Sequence, residues 1–364
     1  MKFFLISLLL ISVGYSGVLS GQLGMFPVQA QHATGFSNMV SPVIGEIGSG
    51  NPAAADSFSK MAIGLNFKLQ TTAETDKDYY TSEFSNASTW LPSSFGLVLP
   101  LKNWRFGLAF HKKYNESWEA EIKMPAGPDS GKVVQHSGES IIYSPSVLLS
   151  YSFPAVFTEN DRLTIGAQFF WNVWNYCYKW ANNESSTQAS GFNWKAGILY
   201  RVNKRFGLGL TYESKTSLEG DVESNQPSFS PSWSNEFVVA SRLSLGVELK
   251  TTERLTVAGT AMAYFWNDVE HEYNNALNLS FSTLYDLTET LKLSLGFYQM
   301  DRIYESYNLY YDNYGSSIGF LSGGLKASFD GFDARLEVLD SHLFSSERNY
   351  FTIFKIGLDY TLGR

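Results

Sequence analysis

Fourteen successive stretches of the chain alternate apolar and polar residues with a period of two, and this pattern limits the fold more than any other feature. In residues 61–70, the alternate positions from Met61 to Leu69 are Met, Ile, Leu, Phe and Leu in that order. In residues 354–363, the alternate positions from Phe354 to Leu362 are Phe, Ile, Leu, Tyr and Leu. A period of two places successive side chains on opposite faces of a strand. The stretches are 61–70, 93–101, 104–113, 143–153, 162–174, 191–202, 206–213, 237–250, 254–266, 276–287, 291–300, 317–329, 332–338 and 354–363. The sequence therefore predicts an all-β protein.

The connections between these stretches alternate in length. Five are tight polar turns and a sixth is somewhat longer: 102–103, 203–204, 251–253, 288–290, 330–331 and 154–161. The others are mostly longer and rich in charged residues, Ser, Asn or Gly: 71–88, 114–139, 181–190, 217–234, 267–275, 301–315 and 341–350. Short turns at one end, long loops at the other and an even strand number are typical of outer-membrane barrels. We therefore expect a transmembrane antiparallel β-barrel of about 14 strands in the bacterial outer membrane.

A soluble antiparallel sheet is the alternative for any single stretch. Here, however, the apolar phase forms one continuous face over all fourteen stretches, and no second sheet or helix remains to cover it. Lipid is the simplest cover. Aromatic residues near the strand ends are then expected to lie at the membrane interfaces, among them Trp104, Trp171, Trp194 and Tyr212.

The N-terminus predicts export. Lys2 precedes an apolar run, 3–13, which is too short to span a bilayer and ends in small residues, as in a removable signal peptide. We assign 1–20 to the signal, 21–57 to an N-terminal hatch and 58–364 to the barrel. The net charge of −8 argues against nucleic-acid binding, and the single cysteine excludes a disulfide framework and Cys-based zinc sites. No cofactor is expected.

The predicted hatch shows little alternation and is too apolar for an ordinary solvated tail, which is the alternative. Irregular backbone is tolerated inside a barrel, where protein or water satisfies its polar groups. The segment ends near Asn51-Pro52-Ala53, where Pro52 fixes its own φ and disfavours the α region for Asn51. The sequence thus predicts a compact turn directly before the first strand.

Asn51-Pro52-Ala53, before the first of fourteen strands, resembles the motif of the long-chain fatty acid transporter family of outer-membrane proteins. The resemblance implies capture of hydrophobic small molecules at the outer loops, descent into the lumen, movement of the hatch and release through a gap in the wall. Asn51, Pro52 and Ala53 would then be gate residues. Pro92 and Pro145 are candidates for interrupted strand pairing, because proline cannot donate to a ladder.

Cations in the inward phase are candidates for binding an anionic head group. They are Lys68, Arg105, Lys195, Arg242, Lys292, Lys326, Arg335 and Lys355. Lys68, Lys292, Lys326, Arg335 and Lys355 fall on one sector of the wall and form the predicted lumen site. The alternative is that these cations pair with acids of neighbouring strands, such as Asp333, Glu337, Asp359, Glu248 and Glu213.

Two other functions fit parts of the pattern. A hatch-bearing barrel could serve a secretion system, with a protein partner held by the outer loops. An outer-membrane lipid-modifying enzyme would place His and Ser two apart on a strand, but none of the five His begins such a pair. We therefore predict no catalytic residues, no metal ligands and no enzyme activity.

Overall fold

The computed structural model describes residues 35–74, 92–123, 133–180, 183–224, 234–269, 274–301, 318–344 and 349–363. Its strands are β1 (Ala62–Glu74), β2 (Pro92–Leu101), β3 (Trp104–Lys123), β4 (Val133–Pro154), β5 (Arg162–Trp180), β6 (Asn183–Arg201), β7 (Phe206–Glu213), β8 (Thr216–Ser224), β9 (Ser234–Val239), β10 (Arg242–Lys250), β11 (Leu255–Tyr264), β12 (Ala276–Asp286), β13 (Leu291–Met300), β14 (Ile318–Phe329), β15 (Phe332–Asp340) and β16 (Asn349–Thr361). The predicted signal peptide lies outside the described residues.

Fourteen of these strands form a closed antiparallel barrel. Each pairs with its neighbour in the chain, β7 pairs with β10, and β16 closes the ring on β1 along the whole length of β1. The strands β8 and β9 pair with each other and continue β7 and β10 after short breaks at 214–215 and 240–241. The prediction of a barrel of about 14 strands is confirmed.

The outer surface of the barrel is apolar. Of the alternating residues in β7, Leu208, Leu210 and Tyr212 are exposed, whereas Gly207, Thr211 and Glu213 are buried in the interior. The aromatic side chains predicted for the interfaces point the same way, and Trp104, Trp171 and Trp194 are 41%, 52% and 44% exposed. A wall with this outer face needs an apolar environment.

All six predicted short turns lie at one end of the barrel. At the other end, the predicted loops are shorter than expected: β3 and β4 extend to Lys123 and back from Val133, and β5 and β6 leave only 181–182 between them. The prediction of loops was wrong for the described parts of 114–139 and 181–190, and also for 217–224, which belongs to β8. These stretches are rich in Ser, Asn, Gly and Glu, and Ser, Asn and Gly are typical of turns and loops, so their strand character was missed.

Residues 35–58, which we call the N-terminal segment, lie against the inner wall. The segment contains two 3₁₀ helices, Ile44–Glu46 and Pro52–Ser57. The first contacts β1, β2 and β16, and the second contacts β3 to β7, on the other side of the ring. Nearly every residue from Gly35 to Asp56 is buried.

Within the described residues, no helix has the length and apolar character needed to cross a membrane.

Candidate functional site

Asn51, Pro52 and Ala53 form the start of the second 3₁₀ helix. Asn51 has extended dihedrals (φ −76°, ψ 119°), and its Oδ1 accepts a hydrogen bond of 3.0 Å from the Ala53 N–H, so it caps the helix. Its Nδ2 donates to the Ile198 carbonyl of β6 at 3.1 Å. Asn51 therefore joins the local turn to the barrel wall, and the compact turn predicted before the first strand is present as this 3₁₀ helix.

Wall glycines allow the motif to approach the strands closely. A methyl group at Gly166 of β5 would lie 2.6 Å from the Ala53 nitrogen, and one at Gly197 of β6 would overlap the Asn51 amide. Any larger side chain at either position would displace the segment. Glycine is thus required here for close contact between backbones.

Asp56 fixes the end of the same helix. Its side chain is almost fully buried and accepts a hydrogen bond of 2.6 Å from the Ser152 hydroxyl. Three guanidinium groups from β3, β5 and β6 surround it, with N–O distances of 3.8 Å to Arg105, 3.1 Å to Arg162 and 3.4 Å to Arg201. These contacts attach the segment to four strands, β3 to β6, near the short-turn end.

The first 3₁₀ helix is attached on the opposite side of the lumen. Lys355 of β16 forms ion pairs with Glu46 of the segment and with Glu337 of β15. Arg335 contacts Glu337 at 3.4 Å and Asp359 at 3.2 Å. Lys292 pairs with Asp286, and Lys326 pairs with Asp333. Four of the five cations of the predicted lumen site therefore have acidic partners.

Lys68 differs from the other four cations of that sector. Its Nζ is buried, and none of the described residues offers it a hydrogen-bond partner. Lys68 lies opposite Lys355 in the pairing of β1 with β16. Within the described residues, Lys68 is thus the cation of the predicted lumen site whose ammonium group can still donate hydrogen bonds.

A second group of charges also lies in the lumen, and we call it the cationic cluster: Lys113, Lys195, Glu213 and Arg242. The Glu213 carboxylate lies 2.6 Å from Lys113, 3.2 Å from Lys195 and 2.8 Å from Arg242. All four side chains are at least nine-tenths buried. Lys195 also donates to the Ser49 carbonyl at 2.9 Å, so the cluster rests on the N-terminal segment.

An apolar layer lies on the loop side of the cationic cluster. Tyr264 belongs to both, because its hydroxyl accepts a hydrogen bond of 3.2 Å from Arg242. The layer consists of Tyr114, Ile142, Trp174, Ala189, Leu218, Val239, Ala240, Met262, Tyr264, Trp266, Ala276, Tyr298, Met300, Phe320, Leu339 and Ile353. Many of these residues lie at the loop-side ends of their strands, so the layer is next to the outer loops.

A bulge in β3 adds an aromatic residue to the layer. The pairing of β3 with β4 shifts register between Lys112 and Tyr114. As a result, Lys113 contacts Glu213 while the next residue, Tyr114, packs against Phe237 of β9 at 4.7 Å between ring centroids. Strict alternation would have turned Tyr114 outward.

Pairing is also interrupted at the two predicted prolines. The ladder between β4 and β5 skips Ser144 and Pro145, and the ladder between β1 and β2 shifts register next to Pro92.

Among the described residues, no group of three or more His, Cys, Asp or Glu side chains is placed to hold a metal ion.

The sequence pointed to Lys195 and Arg242 as inward cations and to Glu213 as one of the acids that would pair with such cations, and both ion pairs are present. It did not include Lys113. It also missed Asp56 and Glu46, which attach the N-terminal segment to the wall. Period-two alternation shows on which face of its strand a side chain lies, but it does not show where along the barrel axis that side chain lies. A signal was present, since a buried segment that carries isolated acids requires inward cations as partners.

Comparison with solved structures identifies the fold. No family model matches the sequence, and no curated protein is similar to it in sequence. The Ralstonia pickettii toluene transporter TbuX superimposes with a TM-score of 0.65 at 13% identity, covering 90% of this chain and 96% of the transporter. The Pseudomonas putida toluene transporter TodX gives 0.63 at 15% identity, covering 91% and 96%.

A Pseudomonas aeruginosa FadL homologue gives a TM-score of 0.62 at 14% identity, and the match covers 89% of this chain and 95% of the homologue. The matches extend over nearly the whole length of each of these proteins. This chain therefore has the fold of the FadL-type transporter barrels, the fold that its Asn-Pro-Ala motif and strand pattern predicted.

Proposed function

We propose that this protein is an outer-membrane channel for the passive uptake of hydrophobic compounds, such as long-chain fatty acids. The N-terminal segment would act as the hatch that closes the lumen, and Asn51, Pro52 and Ala53 would act as its gate. Solved barrels of the same fold are toluene transporters and a FadL homologue.

The apolar layer is the observation that carries this proposal. A barrel that passes water-soluble solutes has a polar interior. Here, sixteen buried apolar side chains from β3 to β16 face one another across the lumen on the loop side of the N-terminal segment. A hydrophobic compound captured at the outer loops would meet this layer before it reaches the segment.

The segment is suited to gating because specific polar contacts attach it to the wall. Asp56 and Glu46 form its ion pairs on opposite sides of the ring, and Asn38 and Ser41 donate to Glu248 of β10 at 2.7 and 2.8 Å. Such contacts can be exchanged for water or ligand without unfolding the barrel. Lys68 remains a candidate for a passing anionic group.

The test is uptake of a labelled hydrophobic compound by cells with and without the gene. We expect faster uptake when the gene is present and a reduced rate for Met262→Asn, which puts a polar group into the apolar layer. Met61→Asn makes the same change on the exposed outer surface and serves as the matched control. Equal uptake with and without the gene would refute the proposal.

A further inference from the structure

The hairpin formed by β8 and β9 continues the barrel wall but is interrupted at its base. Glu213 of β7 faces Arg242 of β10, and Thr216 of β8 faces Val239 of β9. Each chain has two residues between these pairs, 214–215 and 240–241, so the register continues while both strands are broken opposite each other. Two facing breaks allow the hairpin to bend there as a unit.

Beyond these breaks, the hairpin leans over the lumen. The Phe237 ring of β9 lies 4.7 Å from the Tyr114 ring of β3 and 5.4 Å from the Trp174 ring of β5, measured between centroids. In the order of the strands, β4, β5, β6 and β8 separate β3 from β9. A ring contact between β3 and β9 therefore crosses the lumen, and it requires the hairpin to lean inward.

The two faces of the hairpin differ in character. On the underside, Leu218 and Phe237 face each other, and Leu218 is buried in the apolar layer. On the opposite face, Glu219 and Glu236 are exposed, and Ser217 donates a hydrogen bond of 2.7 Å to Glu236. A two-stranded hairpin is marginally stable by itself, so packing of its underside on the apolar layer holds it in the inward position.

Backbone pairing attaches the hairpin to the wall only near its far end. Among the described residues, β8 pairs with β6 at three positions, Ser185 to Thr187, and β9 pairs with β8 alone. The strands β11 to β16, which carry much of the apolar layer, pair with a neighbour on each side. Of the elements that form the layer, the hairpin can therefore move with the smallest loss of ladder hydrogen bonds.

The apolar layer is closed in this conformation. Leu218, Met262, Tyr298 and Phe320 have no exposed surface, so a compound at the outer loops reaches them only when part of the layer moves. We propose that the β8–β9 hairpin is an outer gate, which swings away from the lumen about 214–215 and 240–241 and admits hydrophobic compounds to the apolar layer. This inference rests on the proposed channel function and adds a second gate to it, on the other side of the layer from the N-terminal segment.

A disulfide that ties the end of the hairpin to β6 tests the gate. Ser186 and Glu223 face each other in the ladder between β6 and β8, which is within reach of a disulfide. Cys177→Ser is introduced first, because Cys177 of β5 faces Ser186. Oxidation of the double variant Ser186→Cys/Glu223→Cys should abolish most of the gene-dependent uptake of a labelled hydrophobic compound, and a reducing agent should restore it.

Asn175→Cys/Gln188→Cys is the matched control in the same Cys177→Ser background. Asn175 and Gln188 face each other between β5 and β6, which are paired along their whole length, so this disulfide leaves the hairpin free and should not change uptake. Unchanged uptake when mass spectrometry shows a complete disulfide between positions 186 and 223 would overturn the outer gate and leave the channel proposal intact. Uptake by reduced cells equal to uptake without the gene would overturn both.

Thiol labelling measures opening of the gate without transport. Leu218→Cys, again with Cys177→Ser, places a thiol on the buried underside, and its rate of reaction with a water-soluble maleimide reports the open population in non-ionic detergent. Phe237→Ala removes two aromatic contacts and should raise this rate by about tenfold. Phe281→Ala, on the outer face of β12, should not change it. Heat-modifiable migration verifies folding, and equal rates in all three proteins would overturn the gate.

Discussion

Asn51→Ala removes the hydrogen bonds that stabilise the turn at Asn51-Pro52-Ala53 and join it to the barrel wall. The substitution deletes the acceptor for the Ala53 N–H and the donor to the Ile198 carbonyl. Loss of a helix N-cap costs about 1 kcal/mol, and a hydrogen bond contributes about 1 kcal/mol. Opening of the second 3₁₀ helix should therefore become easier by about 2 kcal/mol, which is about 30-fold in population.

Hydrogen exchange measures this opening directly. The amides of Ala54 and Phe58 donate to the carbonyls of Asn51 and Ala55 at 2.9 and 3.1 Å, so their exchange reports whether the helix is formed. In Asn51→Ala, both amides should exchange about 30-fold faster while the strand amides keep their protection. Asn51→Ser retains a capping oxygen but is too short to reach Ile198, and it should fall between the two.

Asn203→Ala is the matched control. Asn203 also caps backbone N–H groups, those of Arg205 and Phe206 at 2.7 and 3.2 Å, but in the exposed turn between β6 and β7. Its loss should not change exchange at Ala54. Unchanged exchange in Asn51→Ala, or equal acceleration in Asn203→Ala, would show that Asn51 does not hold the segment in place.

Three further predictions concern the N-terminal segment, the outer wall and the turn between β4 and β5. Gly166→Ala should displace the N-terminal segment and accelerate its exchange, whereas Gly259→Ala, where a methyl group would lie 3.7 Å from the nearest atom, should not. Phe281 lies in the middle of the outer face of β12, and Phe281→Arg should lower the free energy of unfolding in lipid vesicles by about 2–4 kcal/mol. Leu287 lies at the end of this strand, and Leu287→Arg should lower it by at most about 1 kcal/mol. Equal losses of stability in the two variants would contradict a lipid-facing wall. Burial alone would raise the pKa of Asp161, but hydrogen bonds from the Tyr200 hydroxyl and from three backbone N–H groups of its own turn lower it. The amides of this turn should therefore be protected from exchange above about pH 4 and lose their protection as the pH falls through the lowered pKa. Protection that rises on acidification would contradict this.

The sequence was sufficient for the barrel because its wall is built from one repeated local rule. A strand with lipid on one side and lumen on the other must alternate, and residues 206–213 do so in β7 as predicted. Many Ser, Asn, Gly and Glu residues obscure the pattern in the loop-side parts of β3, β4 and β6, so 114–139 and 181–190 were predicted as loops. It also fails at the bulge beside Lys113, which shifts the phase of every later residue in β3.

The site could be predicted only in part. Alternation placed Lys195 and Arg242 in the lumen, but their shared partner Glu213 belongs to the strand that lies between theirs, and the register of both pairings sets this contact. The cluster also depends on Lys113, which is 100 residues from Glu213 in the chain and across the lumen from it. Contacts across a lumen depend on strand tilt and stagger, which no local pattern encodes.

The most direct test of the central claim is to locate a bound substrate inside the barrel. Crystals of the protein with a bromine-labelled hydrophobic compound would give anomalous density at the bromine. We expect a peak in the lumen, in contact with Met262, Tyr298 and Phe320 of the apolar layer. Bromine density confined to the outer apolar surface, with none in the lumen, would contradict it.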